Sequence, residues 1–105
     1  ISKMDLNTSI RMAVDTGKTI LGSDRAKKLA LLGDAKAIVV SRNCPVSVKQ
    51  DIYHYASMAG VTVIEFPGSN IELGVVCGKP FSVSALSVIE AGNSDILKLA
   101  QESKG

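Results

Sequence analysis

"AKAIVVSRNCPVSVKQD", residues 35–51, runs from one kind of structure into another within seventeen positions. The segment 35–40 is apolar almost without interruption and rich in β-branched residues. That pattern predicts a strand covered on both faces, since a strand with one wet face would alternate. A short polar turn follows, and then Pro45, whose fixed φ suits the first position of a helix. Beyond it Val48, Ile52, Tyr55, Ala56 and Ala59 fall on one helical stripe, which Gly60 ends. A doubly covered strand leading directly into an amphipathic helix is the repeating unit of an α/β protein.

The flanking sequence repeats this alternation. Upstream, Leu6, Ile10, Ala13 and Val14 recur at helical spacing, and Gly17 is expected to stop that helix as a left-handed cap. "KTIL" at 18–21 reads as a short strand broken by Gly22. Ser23 or Asp24 can cap a second helix whose buried side is Ala26, Leu29 and Ala30, closed by Gly33. Downstream, "VTVIEF" at 61–66 is a strand and Pro67-Gly68 a turn. Ser69-Asn70-Ile71-Glu72 has the form of a capping box opening a short helix. "FSVSALSVIE" at 81–90 is expected as the last strand and "SDILKLAQES" at 94–103 as a final helix. The class is therefore α/β, with helices on both faces of one small sheet. No internal repeat or linker divides the chain, so residues 1–105 are expected to form one domain.

Composition bounds the function. An apolar fraction of 46% in 105 residues supplies a core and argues against disorder. No run approaches the roughly 18 apolar residues of a membrane span, and the first residues carry no signal-peptide stretch. A soluble intracellular protein is expected. Because the sequence opens at Ile1, a few residues are expected to precede it. Two cysteines, Cys44 and Cys77, are too few for a disulfide framework or a four-ligand zinc site.

The net charge of +2 conceals an asymmetry. Between Gly17 and Lys49 stand seven basic residues (Lys18, Arg25, Lys27, Lys28, Lys36, Arg42 and Lys49) against Asp24 and Asp34, a local +5. The remainder, with five basic and eight acidic residues, is −3. Such an excess suits a phosphate-bearing partner, although a solvated face would look the same.

Gly17-Lys18-Thr19 invites comparison with a nucleotide-binding phosphate loop. That loop needs a first glycine where Met12 stands, and a strand before it and a helix after it. Here the order is reversed, so the nucleotidase reading fails. Helix N-termini offer another route to anions, through unpaired amides and a partial positive charge. Gly22 and Asn43 each stand between a strand and a helix. If the two strands are neighbours, both helix starts emerge on one edge with Arg25, Lys28, Arg42 and Lys49 nearby. The Asn43 amide could read base edges, since it both donates and accepts, or it could simply cap a helix.

Other conspicuous residues read as structural. Cys44 at a helix start could be a nucleophile in a small hydrolase or transferase. His54, ten residues along, lies roughly 15 Å away at about 1.5 Å per residue, and no base accompanies the thiol. Cys77 sits in the apolar "LGVVCG" and belongs to the core. Tyr55 fits the buried stripe of its helix and Tyr53 faces the other way. Phe81 by itself reads as core, and four aromatics in all are too few for extended stacking on single strands.

"TGKTILG", "AKAIVVSRNCP", "IYHYASMAGVTVIEF", "NIELGVVCGKPFSVSALSVIEAG" and "SDIL" together resemble one family. It is the L-thirty-e family of archaeal and eukaryotic large-subunit ribosomal proteins, relatives of L-seven-Ae in the kink-turn RNA-binding superfamily. The resemblance runs from Leu6 to Leu97. It implies a three-layer α/β/α sandwich around a four-stranded mixed sheet, and a non-enzymatic, cytoplasmic role on the ribosome. RNA would be the partner, beside neighbouring ribosomal proteins, with a monomer off the ribosome and no metal or cofactor. Similar proteins place two strand-to-helix loops, here Gly22, Ser23, Asp24 and Arg25, and Arg42, Asn43 and Cys44, in the opened groove beside sheared G·A pairs. By that resemblance Gly22 allows close backbone approach, Asn43 bonds guanine edges, and Lys49 meets phosphate, with Lys28 among the RNA-binding residues. A third loop, Lys79 to Val83, would offer Phe81 and Val83 to an extruded base. Asp24 departs from the basic or amide side chain common there, so Arg25 or backbone amides would take over. The Asn-Glu pair of the L-seven-Ae branch is replaced by "SDR". An alternative is the same fold serving an RNA-modifying or RNA-processing particle.

Overall fold

The computed structural model describes residues 3–90 together with 92 and 96. Helix α1 (Lys3–Thr16) leads into strand β1 (Lys18–Leu21), and α2 (Ser23–Leu32) leads into β2 (Ala37–Ser41). Helix α3 (Val46–Ala59) precedes β3 (Thr62–Phe66), and α4 (Asn70–Val76) precedes β4 (Ala85–Glu90). The strands form one mixed sheet in the order β1-β4-β2-β3. β2 and β3 are parallel, and β4 runs antiparallel to both β1 and β2.

The doubly covered strand is β2: every one of its residues is buried. Alternation along it sends Ala37 and Val39 to one face and Ile38 and Val40 to the other. The first pair packs with Ile64, Phe66, Leu86 and Val88 under α1 and α4, through Ile10, Ala13 and Leu73. The second pair packs with Ala85 under α2 and α3, through Ala26, Ala30, Ile52 and Ala56. Two apolar layers thus sandwich the sheet, and Ile10, Ile38, Ile52, Leu73 and Leu86 are fully buried. Truncating any of these would cost about 2–5 kcal/mol.

Several boundaries differ from expectation. Gly17 ends α1 through a 2.9 Å bond from its N–H to the Ala13 carbonyl, but it is not left-handed. Left-handed caps stand instead at Gly33 (φ 73) after α2 and Gly60 (φ 74) after α3. Pro45 is the residue before α3 rather than its first turn, and Ala59 is exposed at the helix end. The last strand begins at Ala85; residues 81–84 are loop. The final helix expected at 94–103 lies outside the described residues except for Ile96, which is helical and buried.

Candidate nucleic-acid interface

β1 and β2 are not neighbours; β4 lies between them. Being antiparallel to β4 on either side, they still point the same way, so both deliver their following helices to one sheet edge. The start of β4 fastens them together. The Gly22 N–H donates to the Ala85 carbonyl and the Ser41 N–H to the Ser84 carbonyl, each at 2.8 Å. Parallel β3 ends at this edge as well, and the Arg42 N–H donates to the Gly68 carbonyl just beyond it, at 2.9 Å.

Gly22 turns the chain into α2 with φ 119 and ψ 140, a conformation that a residue with a side chain strongly resists. Neither Ser23 nor Asp24 caps this helix: Gly22 holds the cap position, and it makes no side-chain cap bond. Ser23 is already helical and half-buried, and Asp24 is exposed in the first turn, where its charge suits the helix dipole. α3 is also entered without a side-chain cap, from Pro45. Among the described residues, two helix N-termini without side-chain caps therefore sit at one edge, a setting that favours anions.

Asn43 is exposed, yet its amide is largely spoken for. Its Oδ1 accepts from the Asn70 backbone N–H at 2.8 Å and from the Ser41 hydroxyl at 3.2 Å. Its Nδ2 donates to Asn70 Oδ1 at 3.0 Å. It does not cap α3; its side chain bonds the start of α4 instead. Of its four bonding positions the one left over is a single N–H, so the side chain presents itself as a donor.

The basic residues divide into two groups. Lys49 reaches back over the loop, its Nζ donating to the Arg42 carbonyl at 3.1 Å with Glu65 Oε1 at 4.0 Å. Arg42 is exposed beside it. Arg25 and Lys28 instead line a separate groove with Ile20, Leu29 and Leu32 on the outer side of α2. Lys79 is exposed at the head of the third loop.

That loop crosses α4 and returns to Gly22. Phe81 is 55% exposed, a large apolar side chain held out toward solvent. Leu21, Gly22, Ser23 and residues 81–84 line a cleft of about 240 Å³. The loop is pinned by the Lys79 N–H to the Gly74 carbonyl and the Val83 N–H to the Asn70 carbonyl, both at 2.9 Å.

Two of the expected residues stand differently. Val83 is 2% exposed and packs in the core with Leu73 and Leu86, so it supports Phe81 rather than sharing its surface. Cys44 is 4% exposed, and burial pushes its thiol up despite the nearby Lys49 charge. A buried thiol that resists ionisation is a poor nucleophile, and its side chain offers no outward contact. Cys77 is core as expected, its thiol pushed up to about 11 by burial. Among the described residues, no three His, Cys, Asp or Glu side chains gather as a metal site would need.

Sequence reasoning passed over Asn70 and Gly74. Asn70 had appeared only as the interior of a capping box, of which the Ser69 half forms: its Oγ accepts from the Glu72 N–H at 3.2 Å. No local spacing links it to a partner at Asn43.

Residues 4–98 match the model of the ribosomal protein L7Ae/L30e/S12e/Gadd45 family. The chain is 46% identical over 101 residues to a large ribosomal subunit protein eL30 from Methanococcus maripaludis, covering 96% of this chain and 95% of that one. To its namesake from Methanocaldococcus jannaschii it is 43% identical over 102 residues, 97% and 93% of the two chains. To that from Methanosphaera stadtmanae it is 45% identical over 98 residues, 93% and 100% of the two.

Proposed function

The chain belongs to the ribosomal protein L7Ae/L30e/S12e/Gadd45 family, and on that premise we propose that it is a structural component of the large ribosomal subunit that binds and stabilises a kink-turn in ribosomal RNA. The observation that carries this reading is the convergence on one sheet edge of two helix N-termini without side-chain caps, the donor amide of Asn43 and the exposed ring of Phe81.

Each part has a task. At Gly22 the backbone comes close to the RNA, and the amides of Ser23, Asp24 and Arg25 meet a phosphate. Asn43 donates to an acceptor on a guanine edge in the opened groove. Arg25, Lys28, Arg42, Lys49 and Lys79 supply attraction for the backbone that is independent of sequence. Phe81 gives an extruded base an apolar face beside the Gly22 cleft. Cys44 and Val83 serve from within, holding the two loops in shape.

The role is architectural and non-enzymatic. The chain acts as one RNA-binding unit, on the cytoplasmic ribosome beside other ribosomal proteins, and is monomeric when free. Binding selects a bent shape, and phosphate attraction adds affinity that salt erodes.

The test is a titration against a kink-turn RNA and a length-matched perfect duplex at two salt concentrations. Kink-turn binding should be much tighter, and the preference should persist at the higher salt. Equal, salt-fragile binding to both would reduce the interface to a basic patch and defeat the proposal.

A further inference from the structure

Asn43 and Phe81 belong to loops far apart in the chain, and one residue is bonded to both loops. The Asn70 backbone N–H and side-chain oxygen both engage the Asn43 amide, at 2.8 and 3.0 Å. Its carbonyl accepts from the Val83 N–H at 2.9 Å, two residues past Phe81. Asn70 is itself fixed as the first residue of α4, whose N-terminus Ser69 caps.

From this geometry we propose that Asn70 is a positioning residue, resting on the RNA-binding reading above: it fixes the Asn43 amide with one N–H outward and ties that loop to the loop carrying Phe81. A free asparagine amide can turn over and present either its oxygen or its nitrogen. Here turning over would set an NH2 group against the Asn70 backbone N–H, donor against donor, and the amide oxygen against Asn70 Oδ1, acceptor against acceptor, so backbone and side chain of Asn70 together hold the orientation. The outward N–H selects an acceptor. Guanine offers O6 and N7 in the major groove, whereas adenine keeps N7 but carries an amino donor in place of O6, so a donor directed at O6 favours guanine. Specificity at that position thus arises from a residue on α4 that need not touch the RNA.

Two measurements test this. In the free, 15N-labelled protein, the Asn43 side-chain NH2 signals should be distinct and slow to exchange with water. In Asn70→Ala they should move to the values of an exposed amide, while Asn70→Asp, which keeps an acceptor for Nδ2, should retain them. Signals in the wild type already like those of an exposed amide would overturn the clamp.

The second measurement is a double-mutant cycle on kink-turn affinity with wild type, Asn43→Ala, Asn70→Ala and the double variant. Asn70→Ala should lose at least about fivefold, and nothing further in the Asn43→Ala background. Affinity for plain duplex should not change. Additive losses would mean that Asn70 touches RNA itself, and an unaltered affinity in Asn70→Ala would mean that its side chain positions nothing; either result overturns the proposal. A wild-type protein with no preference for the kink-turn would instead refute the function and take the RNA half of this inference with it. The amide signals, read without RNA, judge the clamp separately.

Discussion

Replacing Gly74 with alanine sets two known effects against each other at the base of the proposed interface. Gly74 is buried in the middle of α4, where alanine is the better helix former by about 1 kcal/mol. A Cβ at this position would collide with the Phe81 carbonyl oxygen, and would lie 3.1 Å from its carbon and 3.4 Å from the Ser82 Cα. These are backbone atoms, which cannot rotate out of the way. The loop is also held on both sides of the contact, by its bonds to the Gly74 and Asn70 carbonyls.

Clearing the methyl requires the loop to retreat by roughly 1 Å, and overpacking of this kind costs about 1–3 kcal/mol. Collision outweighs propensity, leaving a net loss of about 1 kcal/mol. In a chain of this size that lowers Tm by about 4–8 °C in thermal unfolding. The displaced loop also carries Phe81 away from the Gly22 cleft. Kink-turn affinity should therefore fall about as far as in Phe81→Ala, with duplex affinity unchanged. A raised Tm with full kink-turn affinity would refute the argument, because it would mean that α4 and the loop do not meet backbone to backbone.

Phe81→Ala should weaken binding to bulged RNA by about 1–3 kcal/mol, the worth of stacking one base, and leave a perfect duplex unaffected; equal losses in titrations of both would mean that the ring only supports the fold. Among the described residues, the fully buried Ser87 hydroxyl has no hydrogen-bond partner. Ser87→Ala should then leave stability unchanged or raise it by up to about 1–2 kcal/mol in denaturant unfolding, and a loss of that size would disprove the orphaned state. Burial raises the Cys77 thiol from 9.0 to about 11. Between those values the folded protein holds a proton that the unfolded chain has released, so stability should fall as pH rises through that window and be flat with respect to this thiol below it. Urea unfolding of the wild type and Cys77→Ala across the window should show the weaker slope in the variant; identical slopes would count against a shifted thiol.

Much of the fold was legible because it rests on local terms. The unbroken apolar run at 37–40 requires two covering layers, and the helical stripes at Ala26 and Ala30 and at Ile52 and Ala56 supply one of them. The capping serine at position 69 was legible for the same reason. The misplacements were local too. Gly17 looked like a helix cap, but β1 follows at once and the chain needs no left-handed turn there. Ser23 was a plausible cap by residue type, yet the chain reverses at Gly22, the one residue free to take φ 119 there, and the helix starts one position early. "FSVS" has strand-like composition, but Phe81 and Ser82 follow the path set by α4, and Val83 turns inward.

By itself the sequence determined the elements, the two apolar layers and the positive charge between Gly17 and Lys49, because periodicity, punctuation and composition are properties of neighbouring residues. Tertiary structure decided the rest. β4, the last strand among the described residues, inserts between β1 and β2 and brings Gly22 and Asn43 to one edge. Asn70 then takes two of the Asn43 amide's bonds across 27 residues and leaves it a donor. Strand order and side-chain pairing depend on which distant surfaces bury each other best, and no spacing along the chain encodes that competition.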